Sequence, residues 1–122
     1  MLHMLINLFK VRPDQKDKFK FTGFLIACIK GNKDIVETAL GFYPNIIYQK
    51  DKFGATGFIK SCTYNKKATA KIFIDWFPNI ILQKDMYGYS SFLIACRTGR
   101  KEIVKMLLEN YPNIIEHRGD NK

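Results

Sequence analysis

Cys28, Cys62 and Cys96, with His3 and His117, hold the soft metal ligands of this 122-residue sequence and its strongest nucleophiles. Such a set could make a zinc site, a disulfide with one thiol left over, or a Cys–His nucleophile pair. The spacing argues against all three. The cysteines lie 34 residues apart, twice over, and a fixed interval of that length marks stacked supersecondary units. Equivalent positions in neighbouring units are separated by roughly 8–10 Å, the distance between packed helices. A disulfide cannot span that gap, and two ligands of one zinc ion are closer still. The cysteines are therefore expected to be small core hydrophobes. His3 and His117 fall at opposite ends of a stack, so neither a triad nor a metal site assembles from them within one chain. Gly31-Asn32-Lys33 is a turn between helices rather than a phosphate loop. No catalysis, metal or cofactor is expected.

The same interval governs the rest of the chain. "YPNII" at 43–47 and 111–115 brackets "FPNII" at 77–81, with Pro44, Pro78 and Pro112 each 34 residues after the last. Cutting at Asp17, Asp51 and Asp85 divides the chain into units 17–50, 51–84 and 85–118, with a partial leading unit at 1–16 and the start of another at 119–122. Each unit holds two helical patterns. The first is short, near Phe24–Ile29, Phe58–Thr63 and Phe92–Arg97, with Thr22, Thr56 and Ser90 placed to cap it. The second has apolar pairs four apart, as in Ile35/Val36 with Ala39/Leu40 and Ile103/Val104 with Leu107/Leu108. That spacing lays one apolar stripe along about ten residues of helix. Its middle copy starts with smaller residues, Thr69/Ala70, and compensates with the larger Phe73. Proline disfavours helix at the residue before it, so the three prolines stop the second helix at one place in every unit. Asn45, Asn79 and Asn113 are suited to the turn that follows, and the Ile-Ile pairs to sealing it against the core.

Composition sets outer limits. The chain is long enough for one domain and one core. No apolar run approaches the length of a membrane span, and "MLHMLINLFK" lacks the features of a signal peptide. An odd number of cysteines points to a reducing, cytoplasmic setting. The formal charge of +9 suggests anionic partners, yet 16 of the 20 cations are Lys and only Arg12, Arg97, Arg100 and Arg118 are Arg. Arg is the preferred side chain for phosphate forks and base edges. With 15 Ile and 8 Asn beside it, the Lys excess reads mainly as the composition of an AT-rich genome.

"TGFLIACIKGNKDIV" (22–36) and "SSFLIACRTGRKEIVKMLLE" (90–109) resemble the ankyrin repeat, whose pattern D-x-x-G-x-T-P-L-H-x-A precedes a Gly-centred turn and an I-V-x-x-L-L helix. The third unit carries Asp85, Gly88, Ser90, Phe92, Ala95, Gly99, Ile103, Val104, Leu107 and Leu108 in those places. Met1, Leu2, Leu5, Ile6 and Phe9 fall 34 residues before Ile35, Val36, Ala39, Leu40 and Tyr43, as a leading second helix would. Several positions depart from the pattern. Gly23, Gly57 and Ser91 replace its Pro, and Leu25, Ile59 and Leu93 its His, which softens the finger-to-helix junction. Lys20 stands where Gly54 and Gly88 stand, and Asn65 replaces the Gly31 and Gly99 of the inter-helix turn.

The resemblance implies an all-α solenoid of three helix-turn-helix repeats with short β-hairpin or loop fingers, preceded by a half-repeat helix. It also implies a non-catalytic protein-interaction module that holds its partner on the finger tips and the first-helix face. Small members with this Lys-Ile-Asn-rich style occur in large DNA viruses and AT-rich microbes, where the cytoplasm would be the host's. Some of those carry a ubiquitin-ligase adaptor segment, which is not expected here. Phe19, Phe53 and Tyr87 share a column and suit stacking between fingers, while Phe53 and Tyr87 also belong to the candidate surface. The rest of that surface comes mainly from columns that vary between units: Lys18, Lys52 and Met86; Phe21 and Tyr89, opposite Ala55; Thr63 and Arg97; Lys30, Tyr64 and Thr98. Trp76 is expected between units. Binding of nucleic acid or an anionic surface through the Lys-rich finger side is the alternative, as is a segment of a longer array. The chain is expected to be a monomer or to self-associate weakly through its ends.

Overall fold

The computed structural model describes the backbone of residues 13–116 and the side chains of residues 21–114. The leading helix expected at Met1–Phe9, both histidines, and the side chains of Lys18, Phe19 and Lys20 lie outside that range. Six α-helices follow in pairs: α1 (Pro13–Lys30) with α2 (Lys33–Phe42), α3 (Gly57–Thr63) with α4 (Lys67–Trp76), and α5 (Ser91–Thr98) with α6 (Lys101–Asn110). Short 3-10 helices close each pair at Pro44–Tyr48, Pro78–Leu82 and Pro112–Glu116. The odd-numbered helices contact one another in a row, as do the even-numbered ones. The result is a two-layer stack.

Local chemistry explains where these helices begin and end. Thr56 and Ser90 sit in extended backbone, and their hydroxyls accept from the amides of Ile59 and Leu93, each at 3.3 Å. Those bonds satisfy donors that the first turn of a helix leaves free. Between the helices of each pair the chain turns at a left-handed residue: Gly31 at φ 74°, Asn65 at φ 62° and Gly99 at φ 73°. Asn is the side-chain-bearing residue that takes this conformation most readily. After each second helix, proline occupies the first turn of the 3-10 segment, where its missing N–H costs nothing. Backbone bonds close these turns, from Ile46 N to Tyr43 O (2.9 Å), Ile80 N to Phe77 O (2.8 Å) and Ile114 N to Tyr111 O (3.0 Å). The adjoining Asn45, Asn79 and Asn113 are exposed, while Ile46, Ile47, Ile80, Ile81 and Ile114 are buried.

The core runs between the layers. Phe73 is fully buried with its ring edge-on to Phe24 (centroids 5.9 Å apart) and to Phe58 (5.8 Å). It joins the first pair of helices to the second, which is how the middle unit makes up for its small Thr69 and Ala70. Gly57 permits the close approach of α1 and α3. A Cβ there would lie 2.6 Å from Phe24 Cε2 and 2.9 Å from Cys28 Sγ. The Pro of the repeat pattern would collide with the same ring.

Two features differ from the sequence reading. No first finger forms, because α1 runs unbroken from Pro13 and carries Thr22 as an exposed mid-helix residue rather than a cap. The two fingers that do form place Gly54 at φ 80° and Gly88 at φ 81°. Lys20 in that column would be strained there, and the segment is helical instead. Trp76 is 46% exposed. It borders a cleft of about 330 Å³ with Tyr48, Pro78 and Gln83, between the first and second units, and is not sealed inside.

Candidate protein-binding surface

Each finger is organised by one carboxylate. Asp51 Oδ1 accepts from the amides of Phe53 (2.8 Å) and Ala55 (2.9 Å), and Asp85 Oδ1 from those of Tyr87 (2.9 Å) and Tyr89 (3.0 Å). Backbone bonds complete the turns, from Gly54 N to Asp51 O and from Gly88 N to Asp85 O, and the second finger is pinched at its base by a bridge between Lys84 and Ser90. An Asp side chain bonded two and four residues on mimics a backbone turn and rigidifies it. The fingers are also tied together. Met86 N donates to Phe53 O at 2.9 Å, and a Cβ on Gly54 would come within 2.6 Å of that nitrogen.

Further bonds tie the fingers to the first-helix layer. Lys60 on α3 reaches Asp51 at 3.4 Å, and its ammonium lies 6.0 Å from the Tyr64 ring centre. The Arg97 guanidinium of α5 lies 4.8 Å over the Tyr89 ring, and Tyr89 leans on Tyr87 with centroids 6.4 Å apart. Lys52 covers Phe53 at 5.3 Å. Cations over ring faces hold both partners in place. Burial acts first on Asp51 and raises its carboxyl pKa. The Ala55 and Phe53 amides and the Lys60 ammonium outweigh it, and the pKa ends below the ordinary value.

The structure sorts the residues singled out from sequence. Phe53, Met86 and Tyr87 are 47%, 62% and 61% exposed on the fingers; Lys52 and Tyr89 on the fingers, and Lys30, Tyr64, Arg97 and Thr98 near the ends of the first helices, are exposed as well. Thr63 is half-buried, with its hydroxyl donating to Ile59 O at 2.8 Å. Phe21 is the correction. It is 9% exposed and part of the core, because its stretch is helix and its ring turns inward rather than standing on a finger. Lys18 likewise lies on α1, not at a finger tip. Phe53 and Tyr87 were expected to stack between fingers, but the finger-to-finger link is backbone and both rings remain open.

Gln83 escaped the sequence reading. Its Oε1 accepts from the buried Thr56 hydroxyl at 2.7 Å and its Nε2 donates to Ile47 O at 3.0 Å. The junction expected to be soft without the pattern's His is therefore held by a glutamine of the following finger. The only hint in the sequence was the recurrence of Gln at 49 and 83. Arg100 was also missed; its Nε donates to Thr63 O at 3.1 Å, which satisfies a carbonyl at the C-terminal end of α3.

The cysteines march along the stack. Cys28 is buried against Ser61 of the next unit, and Cys62 against Ser91 of the one after. Burial pushes the Cys28 thiol up to about 12 and raises that of Cys62 as well, each partly offset by its serine. Cys96 departs from the core expectation. It is exposed, with no described unit beyond it to supply the covering serine. All three thiols are free, and among the described residues no three His, Cys, Asp or Glu side chains gather as metal ligands. No described helix is long and apolar enough to cross a membrane.

Paired helices in two layers, with hydrogen-bonded fingers projecting between pairs, define a helical repeat solenoid with an exposed ledge. The description "Ankyrin repeats (3 copies)" matches residues 24–117. The chain belongs to the ankyrin repeat family, whose members are generally protein-interaction modules and typically non-catalytic. None of the curated proteins matches the sequence. Among solved structures, a chain from the crystal structure of the yeast ribosomal protein Rps3 in complex with its chaperone Yar1 shares the fold at a TM-score of 0.75. The two are 17% identical over 91% of this chain and 85% of that one.

Proposed function

We propose that this chain is a non-catalytic adaptor that grips a protein partner with its two fingers and the exposed face of α3 and α5. The observation that carries this reading is the row Phe53, Met86, Tyr87 and Tyr89, large side chains left open on turns that the Asp51 and Asp85 carboxylates hold rigid. Aromatic anchors on a rigid support make strong contacts because little entropy remains to be lost on binding. Lys30, Lys52, Thr63, Tyr64, Arg97 and Thr98 flank the row and complete the surface. The similar fold found in the complex of a ribosomal protein with its chaperone is in keeping with this use. A reducing, cytoplasmic setting suits the three free thiols.

Affinity capture followed by mass spectrometry tests the reading. The wild type is compared with a Tyr87→Ala/Tyr89→Ala variant and with Trp76→Ala, at the end of α4 in the other layer. Proteins held by the wild type and by Trp76→Ala should be lost from the double variant. Equal recovery by all three would refute the assignment.

A further inference from the structure

Charge is segregated between the two layers. The even-numbered helices carry five acids (Asp34, Glu37, Asp75, Glu102, Glu109) and five lysines (Lys33, Lys67, Lys71, Lys101, Lys105), some already paired, as in Lys71–Asp75 and Lys67–Glu102. The other side is lopsided. The fingers and the described side chains of α1, α3 and α5 present six cations, Lys30, Lys50, Lys52, Lys60, Lys84 and Arg97. Their only acids are Asp51 and Asp85, each with an oxygen bound to backbone amides of its own turn; Asp51 also pairs with Lys60 at 3.4 Å, and the side keeps a net positive charge. A composition bias alone would put the excess on both layers.

Resting on the protein-binding reading above, we infer that the partner presents an acidic polypeptide segment carrying aromatic or aliphatic side chains. Its carboxylates meet Lys52 and Arg97, and its apolar groups meet Phe53, Met86 and Tyr87. Complementary charge of this kind speeds encounter and rejects basic competitors. A polypeptide is favoured over single-stranded nucleic acid by what already lies over the rings. Lys52 lies over one face of Phe53 and Arg97 over one face of Tyr89, so a base stacking on either of those faces would have to displace a cation. A carboxylate approaches the outer side of the same cation and leaves the pair intact. Met86, at 62% exposure, offers no stacking plane but suits an aliphatic side chain.

Selection of a random-peptide phage library on the wild-type protein tests the inference. Binding is then measured for the selected peptides, for copies with Glu and Asp replaced by Gln and Asn, and for a single-stranded oligonucleotide. Enriched peptides should be acidic with interspersed aromatic or aliphatic residues. Amide replacement should weaken them at least about tenfold, and so should Lys52→Glu/Arg97→Glu, while Lys33→Glu/Lys105→Glu on the other layer leaves binding unchanged. Both variants are compared by circular dichroism and melting temperature, so that misfolding cannot pass for lost binding. Neutral peptides that still need Tyr87 and Tyr89 would overturn the acidic partner and leave the ledge standing. Peptides indifferent to every ledge variant would overturn both. An oligonucleotide that binds more tightly than the best acidic peptide, or a selection that yields no binder, also overturns the proposal.

Discussion

The Thr56 hydroxyl donates to Gln83 at 2.7 Å while accepting from the Ile59 amide at 3.3 Å, so one buried side chain starts a helix and joins two fingers. Gln83 continues the chain of bonds to Ile47 O. Replacing Gln83 with Ala should leave a buried hydroxyl without its acceptor and a carbonyl without its donor. The expected loss is about 1–3 kcal/mol in urea unfolding followed by circular dichroism. Gln83→Glu should also destabilise, because a carboxylate cannot donate to Ile47 O. An unchanged midpoint in both variants would show the network to be idle.

Gly57 and Ser91 occupy the same column and should respond oppositely to alanine. At 57 a Cβ meets Phe24 and Cys28 within 3 Å, and overpacking there is expected to cost about 1–3 kcal/mol. At 91 the Cβ already exists, and the enclosed hydroxyl has only the weak Cys62 thiol for company. Ser91→Ala should be neutral or should stabilise by up to about 1 kcal/mol. Thermal melts of the two variants decide the point; a shift of the same sign in both would contradict this account of the column.

These positions show which parts of the structure the sequence could reveal. The repeat period, the proline stops and the left-handed turn at Asn65 are local. Each follows from the conformational limits of one or two residues, and each stands where the spacing put it. Burial at Phe21 was misjudged because its column was read from Tyr89, whose finger exists through Gly88 at φ 81°. Lys20 was the sign that the first unit would not build that finger. The roles of Gln83 and Arg100 were hidden for a different reason. Their bonds join residues 27 to 37 positions apart, and spacing within a unit says nothing about which carbonyl a neighbouring unit leaves unpaired.

Thiol labelling should separate the cysteines in one experiment. Burial raises the pKa of all three thiols, but only Cys96 is exposed to reagent, while Cys28 and Cys62 are enclosed. Under native conditions maleimide should modify Cys96 alone, and three additions should appear only in denaturant. Mass spectrometry of a Cys96→Ser variant should then show no native labelling. Rapid native modification of Cys28 would mean that the first two units open far more readily than their packing implies.

The finger at Asp51 should make the fold acid-sensitive. Its carboxyl pKa is held below the ordinary value against the opposing effect of burial, by the Ala55 and Phe53 amides and by Lys60. A carboxylate depressed in the folded state adds stability that is complete above its unfolded value of 3.8. That contribution is lost as pH falls through the lower folded value. Urea midpoints should therefore be flat from neutrality down to about pH 5 and decline below about pH 4. Asp51→Asn retains an oxygen for the turn amides but no charge for Lys60. It should lower stability at pH 7 and flatten the acid decline, because one group whose proton uptake differs between folded and unfolded chains has been removed. Measured from pH 7 to about pH 3, a decline equally steep in variant and wild type would place the acid sensitivity elsewhere in the chain.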